Sequence, residues 1–596
     1  MIGHVDLEEE LAMAPPSRKL ARRILDLARP YRRLFTQMLA LELLFVLARV
    51  AGPHIVKRAI DHGIPEKAFA ELMICTAVLV TLHAACWLFD FVQFRINMVA
   101  GQRILNDLRR SVFRHVQFLS MSYFDKTKAG KIISRIDRDV AAMEHPLVWG
   151  PITLINGTFY MLLSGASMAF YSWKLSLVIV GLVPLILIAS EAFRRKGIVA
   201  YRQCRESLAV LTANVAESIA GIRVTQAFAR ETKNLLFYSN LADRHAMNVR
   251  NAAIVWNLYS PFVRTLYVIA TALIVLYGGY LVSEGEVEVG VLAAFVLYLG
   301  MFFGPIFEFS ALFNEILHGS SAAERVFQVL ETEPQVKDRP GAQELPRIEG
   351  RVEFEAVSFR YAKLGAGRRA PWTIDQVSFE ANPGELIAFV GKTGAGKSTI
   401  IHLLSRFYEP ESGRVLVDGR DIAEHTLESL HRQMGIVLQE NFLFSGTVLE
   451  NLRYSRPDAT REEIEELSRM LGADEVIRRL PQGYDSVVGE RGTSLSQGER
   501  QLICFVRAIV PDPRILILDE ATSSVDSLSE ERLQQALLRL VKGRTSFVVA
   551  HRLSTVRHAD RIFVLDGGRI VESGTHVQLL AAGGQYAKLH TEYVRP

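Results

Sequence analysis

Gly391-Lys392-Thr393-Gly394-Ala395-Gly396-Lys397-Ser398-Thr399 is the stretch on which the reading of this 596-residue chain turns. An apolar run, Leu386-Ile387-Ala388-Phe389-Val390, precedes it and predicts a buried strand; Ile400-Ile401-His402-Leu403-Leu404 follows and predicts a helix. Strand, glycine-rich loop and helix in that order are the context in which G-x-x-x-x-G-K-[ST] makes a phosphate cradle. Glycine lets successive backbone N–H groups turn inward at a helix N-terminus, where the helix dipole also favours an anion. Lys397 is placed to reach the β- and γ-phosphates, and Ser398 to offer its hydroxyl to Mg²⁺. The chain is therefore expected to bind a nucleoside triphosphate.

Composition argues against an ordinary soluble ATPase. Hydrophobic residues make up 49% of the chain, and the mean hydropathy is +0.17. The length exceeds what one core can organise. Six apolar segments, near 34–56, 70–94, 147–171, 173–193, 261–283 and 289–313, are each long enough to cross a bilayer core of about 30 Å. Their connections alternate in charge. Residues 101–146 carry Arg103, Arg109, Arg110, Arg114, Lys126, Lys128, Lys131, Arg135 and Arg138, and residues 194–250 are similarly basic. Only Glu284-Gly285-Glu286-Val287-Glu288 separates the last two spans. The positive-inside rule then places the N-terminus, both basic connections and everything after the sixth span in the cytoplasm. Lys57, Arg58 and Lys67 in the first external loop weaken that bias without reversing it.

The basic amphipathic stretch 17–33, interrupted by Pro30, is expected to lie on the cytoplasmic membrane surface. Helical periodicity over 104–119 and 207–228 predicts spans that continue into the cytoplasm and turn. The turns fall near Ser122-Tyr123-Phe124-Asp125-Lys126 and Ala220-Gly221-Ile222-Arg223. Ionisable residues inside spans usually mark a cavity or a pair. Glu308 is expected to face a cavity, Asp90 and Glu191 to sit near span ends, and Glu42 and Arg49, on one helix face, to pair through neighbours. Cys75, Cys86, Cys204 and Cys504 show no metal-ligand spacing. Cys75 and Cys86 would sit about 16 Å apart on a helix, out of disulfide reach. No cleavable signal peptide is expected.

Residues 331–350, rich in Pro and charge, predict a linker. Val352-Glu353-Phe354 and Val357-Ser358-Phe359 predict two short strands, after which strand and helix patterns alternate as in an α/β domain. A second buried strand, Ile515-Leu516-Ile517-Leu518, ends in Asp519-Glu520. Asp519 is placed to hold Mg²⁺, and Glu520 to polarise the water that attacks the γ-phosphate.

Together these residues resemble the ATPase domain of an ABC transporter. Leu495-Ser496-Gln497-Gly498-Glu499 is similar to the LSGGQ signature of that family. Gln439 matches its Q-loop glutamine, Ser523-Ser524-Val525-Asp526 its D-loop, His551 its switch histidine, and Tyr361 the aromatic residue that stacks on adenine. Tyr123-Phe124-Asp125-Lys126-Thr127 with Gly130-Lys131-Ile132-Ile133-Ser134-Arg135, and Glu217-Ser218-Ile219-Ala220-Gly221-Ile222-Arg223, resemble the segments at the two intracellular turns of the exporters. The resemblance spans roughly residues 18–590.

The resemblance implies an α-helical six-span transmembrane domain plus an α/β P-loop ATPase domain of ABC type. The expected divisions are an interfacial helix over 1–33, the membrane domain over 34–330, the linker over 331–350 and the ATPase domain over 351–596. It implies ATP and Mg²⁺ as cofactors. Nucleotide would be bound by Tyr361, by the loop from Gly391 to Thr399, and by Ser496, Gln497, Gly498 and Glu499. Ser398, Gln439 and Asp519 would hold the metal; Glu520, His551 and Gln439 would serve catalysis. Two departures stand out. Gln497 and Glu499 replace the first glycine and the final glutamine of the signature, and Glu499 brings a negative charge near the site. Ser486-Val487-Val488-Gly489-Glu490-Arg491-Gly492 is similar to the exporters' TEVGERG segment, but Val487 stands where an acid is usual.

The implied activity is ATP-driven export or flipping of hydrophobic or amphipathic compounds or lipids, by alternating access in a dimer. An ATP-gated channel or regulator is the alternative on the same fold, and intact Glu520 and His551 argue for the pump. The full catalytic set favours a homodimer; the altered signature keeps a heterodimer in play. Six spans exclude a soluble DNA-repair or translation ATPase, so no nucleic-acid partner is expected. The expected location is the inner or plasma membrane, multi-pass, with membrane lipids as neighbours and the ATPase domain cytoplasmic. Phe295, Tyr298, Phe302, Phe303 and Phe307, with few charges nearby, suit a small hydrophobic or weakly cationic cargo, and equally suit a lipid-facing helix.

Overall fold

The computed structural model describes residues 18–361, 371–519, 527–549 and 556–594. The chain forms two compact units, Met1–Gln117 with Gly130–Glu331, and Phe118–Ala129 with Thr332–Pro596.

The first unit is helical. The amphipathic helix α1, Arg18–Ala28, leads through a single 3-10 turn into α2, Arg32–Arg58. Pro30 lies in the first positions of that turn, where a missing N–H costs nothing, so the chain restarts there as a helix. The long helices that follow are α3 (Phe69–Gln117), α4 (Gly150–Tyr171), α5 (Trp173–Ala220), α6 (Glu231–Ser283) and α7 (Val289–Glu331). Among the described residues, six helices are long and apolar enough to cross a membrane. At 49, 48 and 53 residues, α3, α5 and α6 run for about 70–80 Å, more than twice a hydrocarbon core.

Small residues let these helices approach closely. A Cβ on Gly157 of α4 would lie 2.6 Å from the Phe309 ring. Two basic residues at the end of α2 are paired locally. Lys57 pairs with Asp61 at 3.0 Å and Glu288 at 2.6 Å, and Arg58 with Glu71 at 3.0 Å.

Glu42 finds its partner on the neighbouring helix. Glu42 is 2% exposed and accepts a hydrogen bond from Gln93 of α3, while Arg49 is exposed. Burial at a helix–helix contact decides the matter, because a carboxylate facing α3 takes the nearest donor there. Glu191 pairs with Arg195 at 2.7 Å along α5, and Glu308 is exposed.

The second unit holds two principal sheets. Strands β1 (Val352–Phe359), β2 (Ile374–Ala381), β4 (Ser412–Val417) and β5 (Arg420–Asp421) form an antiparallel sheet in the order β2-β1-β4-β5. The second sheet contains β3 (Leu386–Val390), β6 (Met434–Val437), β9 (Ile515–Asp519), β10 (Thr545–Val549), β11 (Arg561–Asp566) and β12 (Arg569–Gly574). Its order is β12-β11-β3-β10-β9-β6, parallel apart from the β11–β12 hairpin. The short β7 (Gly446–Thr447) and β8 (Val487–Val488) pair separately. Residues 352–359 make one strand rather than the two expected, because Ala356, at φ +45°, marks a register irregularity without ending the pairing.

Strand β3 is buried along its whole length. Leu386, Ala388 and Val390 enter the core that includes the helix α9 (Gln497–Ile509). Ile387 and Phe389 enter the opposite core with the antiparallel sheet. A period of two on a strand covered on both faces gives this unbroken apolar run.

The segment 331–350 is anchored to this unit along its second half. Asp418 accepts from the backbone N–H groups of Glu349, Gly350 and Arg351 at 2.6, 3.1 and 2.8 Å. Gln433 binds Ile348 N, Leu345 O and Pro346 O. Residues 118–129 also belong to this unit: Tyr408 donates to the Asp125 carboxylate, and Ser120 Oγ accepts from Val336 N at 2.8 Å.

Phe389 is fully buried and stacks on Phe547 and Phe563 at 6.2 and 5.9 Å between ring centroids. Phe389→Ala is expected to destabilise the ATPase unit by about 3–5 kcal/mol. Thermal unfolding of the detergent-solubilised chain measures this, and an unchanged transition would contradict the placement.

Candidate nucleotide site

The loop after β3 has a geometry that only glycine supports at two positions. A Cβ on Gly391 would lie 2.3 Å from the Leu565 carbonyl oxygen. Gly396, at φ +103°, caps the helix α8 (Lys397–Leu404), and a Cβ there would meet Ile374 at 2.6 Å. The loop thus turns tightly against its neighbours and delivers Lys397, Ser398 and Thr399 to the first turn of α8.

Lys397 is 7% exposed. Its ammonium donates to Gly391 O at 2.6 Å and Lys392 O at 3.1 Å, so it is folded back onto its own loop. Burial lowers its pKa below the ordinary lysine value, and Asp519 opposes that shift. A phosphate anion replacing the two carbonyls would give this desolvated cation an opposite charge.

Tyr361, the expected base-stacking residue, is 38% exposed. Its hydroxyl lies 3.1 Å from Thr399 Oγ1 and 3.1 Å from His402 Nδ1. Burial pushes the His402 pKa down, which favours the neutral ring. Phe359 and Tyr408 meet the Tyr361 ring edge-on at 4.9 and 5.0 Å, holding its orientation. Tyr408 was not anticipated from the sequence, although it braces Tyr361 and binds Asp125. Burial, then Asp125, raises its phenol pKa. No local pattern marks it; only the fold brings residues 125, 361 and 408 together.

Asp519 ends β9, and Gln439 lies exposed just beyond β6. Strands β3, β9 and β6 run parallel through the shared sheet, so the loop, Asp519 and Gln439 all lie at its carboxyl edge. A Ser398 hydroxyl, an Asp519 carboxylate and a Gln439 amide oxygen would offer hard oxygen donors of the kind that suit Mg²⁺. Among the described residues there is no group of three His, Cys, Asp or Glu that could hold a metal by itself. Glu520, Ser523-Ser524-Val525-Asp526 and His551 lie outside the described residues.

The signature residues form a separate feature. Ser496 caps α9, its hydroxyl accepting from Glu499 N at 3.3 Å while the Glu499 carboxylate accepts from Ser496 N at 2.8 Å. This reciprocal capping box explains the acid at position 499: its charge is turned back onto the helix N-terminus, where the dipole favours it. Gln497 and Gly498 occupy the next two positions of α9, with Gly498 buried. Val487 is 71% exposed on β8.

Fold and site together define a membrane-spanning phosphate-loop ATPase. A model of the ABC transporter transmembrane region matches residues 37–306, and an ABC transporter ATPase model matches residues 374–523. The chain is 38% identical over 575 residues to the ABC transporter ATP-binding protein YknV of Bacillus subtilis (strain 168), covering 95% of this chain and 93% of that one. It is 35% identical over 569 residues to the ATP-dependent lipid A-core flippase of Syntrophus aciditrophicus (strain SB), covering 96% and 94%. The structure of a bacterial Atm1-family ABC exporter with ATP bound aligns over 95% of this chain and 99% of its own, at TM-score 0.79 and 27% identity. The chain belongs to the ABC exporters, with the membrane domain N-terminal to the ATPase domain. It is a multi-pass membrane protein that binds nucleotide and couples ATP hydrolysis to transport, and its half-transporter fold implies dimerisation.

Lys397→Ala removes the buried ammonium and is expected to weaken ATP binding about ten- to hundredfold. Equilibrium binding of a fluorescent ATP analogue checks it, and unchanged affinity would contradict the loop. Glu499→Gln preserves the capping box and should change stability by no more than about 0.5 kcal/mol, whereas Glu499→Ala should cost about 1 kcal/mol. Equal losses in the two variants, measured by chemical denaturation, would show that the charge matters and the reciprocal bonding does not.

Proposed function

We infer that this chain exports or flips hydrophobic or amphipathic compounds or lipids, driven by ATP and working as a homodimer that alternates access across the membrane. The observation that carries the reading is the preformed loop around Lys397, in a chain whose helices are long enough to cross the bilayer. Similarity to a lipid A-core flippase supports lipid-like cargo. The basic connections support an ATPase unit in the cytoplasm and a plasma- or inner-membrane location.

In this reading the Lys397 ammonium leaves the Gly391 and Lys392 carbonyls for the β- and γ-phosphates. Tyr361, braced by Phe359 and Tyr408, stacks on the base. Ser398, Asp519 and Gln439 would hold Mg²⁺, which would supply charge neutralisation for the phosphates. Glu520 takes a proton from the attacking water, and His551 contacts the γ-phosphate. Ser496, Gln497 and Gly498 present a hydroxyl and helix-terminal N–H groups to the nucleotide of the second chain, with Glu499 fixing the cap. Nucleotide then joins two ATPase units, and hydrolysis releases them. The chain itself carries the motion onward, because residues 118–129 lie covalently between α3 and the rest of the membrane unit.

Purified chain in proteoliposomes should hydrolyse ATP and move a fluorescent phospholipid between leaflets. Glu520→Gln should lower kcat by about 10²–10⁴-fold with ATP binding retained. Near wild-type turnover in this variant would remove Glu520 as the base. Differently tagged copies should co-purify, and activity that needs a second gene product would replace the homodimer with a heterodimer.

A further inference from the structure

We propose that a basic cavity in the membrane unit binds a phosphate group, carried by a lipid headgroup or by a soluble phosphate ester. Lys131, Ser134, Arg135, Arg138, Asp139 and Arg325 line it, and its volume is about 370 Å³. All six belong to the same compact unit. The volume falls within the range of small-molecule sites, enough for a phosphate with its glycerol or sugar attached. A phosphate held there implies neither a cargo nor a direction of transport.

The sequence sets up one wall of this cavity. Positions 131, 134, 135, 138 and 139 follow the three-and-four spacing that keeps side chains on one side of a helix. They lie on the short helix Ala129–Ser134 and on the π turn Arg135–Asp139 that continues it. The facing wall comes from α7, where Arg325 donates to Asp139 through Nε at 3.1 Å and Nη2 at 2.6 Å. This two-point bond joins residues 186 positions apart and fixes a planar guanidinium at the cavity wall.

Four of these six side chains are cationic and one is anionic, so positive charge predominates along the lining. Arg135 and Asp139 are buried, and Lys131 and Arg138 are exposed, so the charge runs from the interior to the surface. Like charges gathered about one space repel, and an anion placed among them lowers the energy of all. Phosphate suits this lining better than a carboxylate does. It has more oxygens to meet donors, guanidinium groups bind it through paired N–H donors, and Ser134 adds a hydroxyl. The positive-inside bias accounts for basic residues in this connection. It acts on composition, however, and does not gather them about one cavity with Arg325. Asp139 lies eight residues before position 147, where the third span is expected to start, or about 12 Å along a helix. That is near enough to the bilayer edge for either source of phosphate.

Arginine modification by phenylglyoxal, mapped by mass spectrometry, tests the site on the full chain washed free of lipid in dodecyl maltoside, a detergent without phosphate. One arm adds phosphatidylglycerol to the micelles, and the other adds glycerol 3-phosphate. Arg138 should react about three- to tenfold more slowly in at least one arm than in detergent alone, as occupancy of the cavity implies. Exposed Arg103 and Arg110, in the same basic connection, should change by less than about twofold. Slowing in the lipid arm alone identifies a headgroup, and slowing in the ester arm alone a soluble phosphate. Lys131→Gln and Arg135→Gln should each cut the slowing at Arg138 to below about twofold. Lys131 is exposed, so its variant carries the test if loss of the buried Arg135 unfolds the chain. Arg103→Gln removes a charge from the same connection and should leave the slowing at Arg138 unchanged. Equal slowing at Arg138, Arg103 and Arg110 would reduce the effect to general attraction and overturn the site. So would no slowing in either arm, slowing that survives Lys131→Gln, or an Arg138 that the reagent does not reach in detergent alone. None of these readouts needs turnover, so a failure of the export reading leaves them unaffected.

Discussion

A strand with no exposed face holds the ATPase unit together. Leu386, Ala388 and Val390 belong to one core and Ile387 and Phe389 to the other, so β3 is common to both. Its parallel neighbours β10 and β11 fix its register on either side. The loop that follows inherits this rigidity, with Gly391 wedged against the Leu565 carbonyl at the end of β11. An anion site made of backbone N–H groups works only if they already point inward when the anion arrives. Here the strand fixes where the loop begins, and the Lys397 ammonium binds the loop's Gly391 and Lys392 carbonyls from within.

The membrane unit answers to a different constraint. In lipid every backbone group must find its partner within the structure, which helices achieve turn by turn. Side chains are then left to set the distances between helices. Gly157 of α4 admits both the Phe309 ring and Pro305 of α7.

Much of this was legible in the sequence, for reasons that differ by element. The phosphate loop and the strands before it and before Asp519 were readable because glycine spacing and apolar runs are local signals. The six spans were readable because length and hydropathy are local too. What stayed hidden depends on residues far apart in the chain. Gln93 lies 51 positions from Glu42, so helical spacing along one helix could not name it as the donor there. Residues 345–351 have a linker's composition, yet Asp418 and Gln433 bind their backbone, which composition does not reveal. Glu499 reads as a flaw beside the family signature, whereas S-x-x-E is itself a capping pattern that a purely local reading could have recognised.

Tyr408 belongs to two neighbourhoods at once. Its ring supports Tyr361, and its hydroxyl is bound to Asp125, in the segment inserted between α3 and α4. Free energy passed through such a shared residue has no preferred direction. If filling the base site changes how firmly Tyr408 holds Asp125, then displacing Asp125 changes the affinity for the base by the same factor. The segment that answers to nucleotide would by the same contact report back to it, and load applied to the helices would register as a change in ATP affinity.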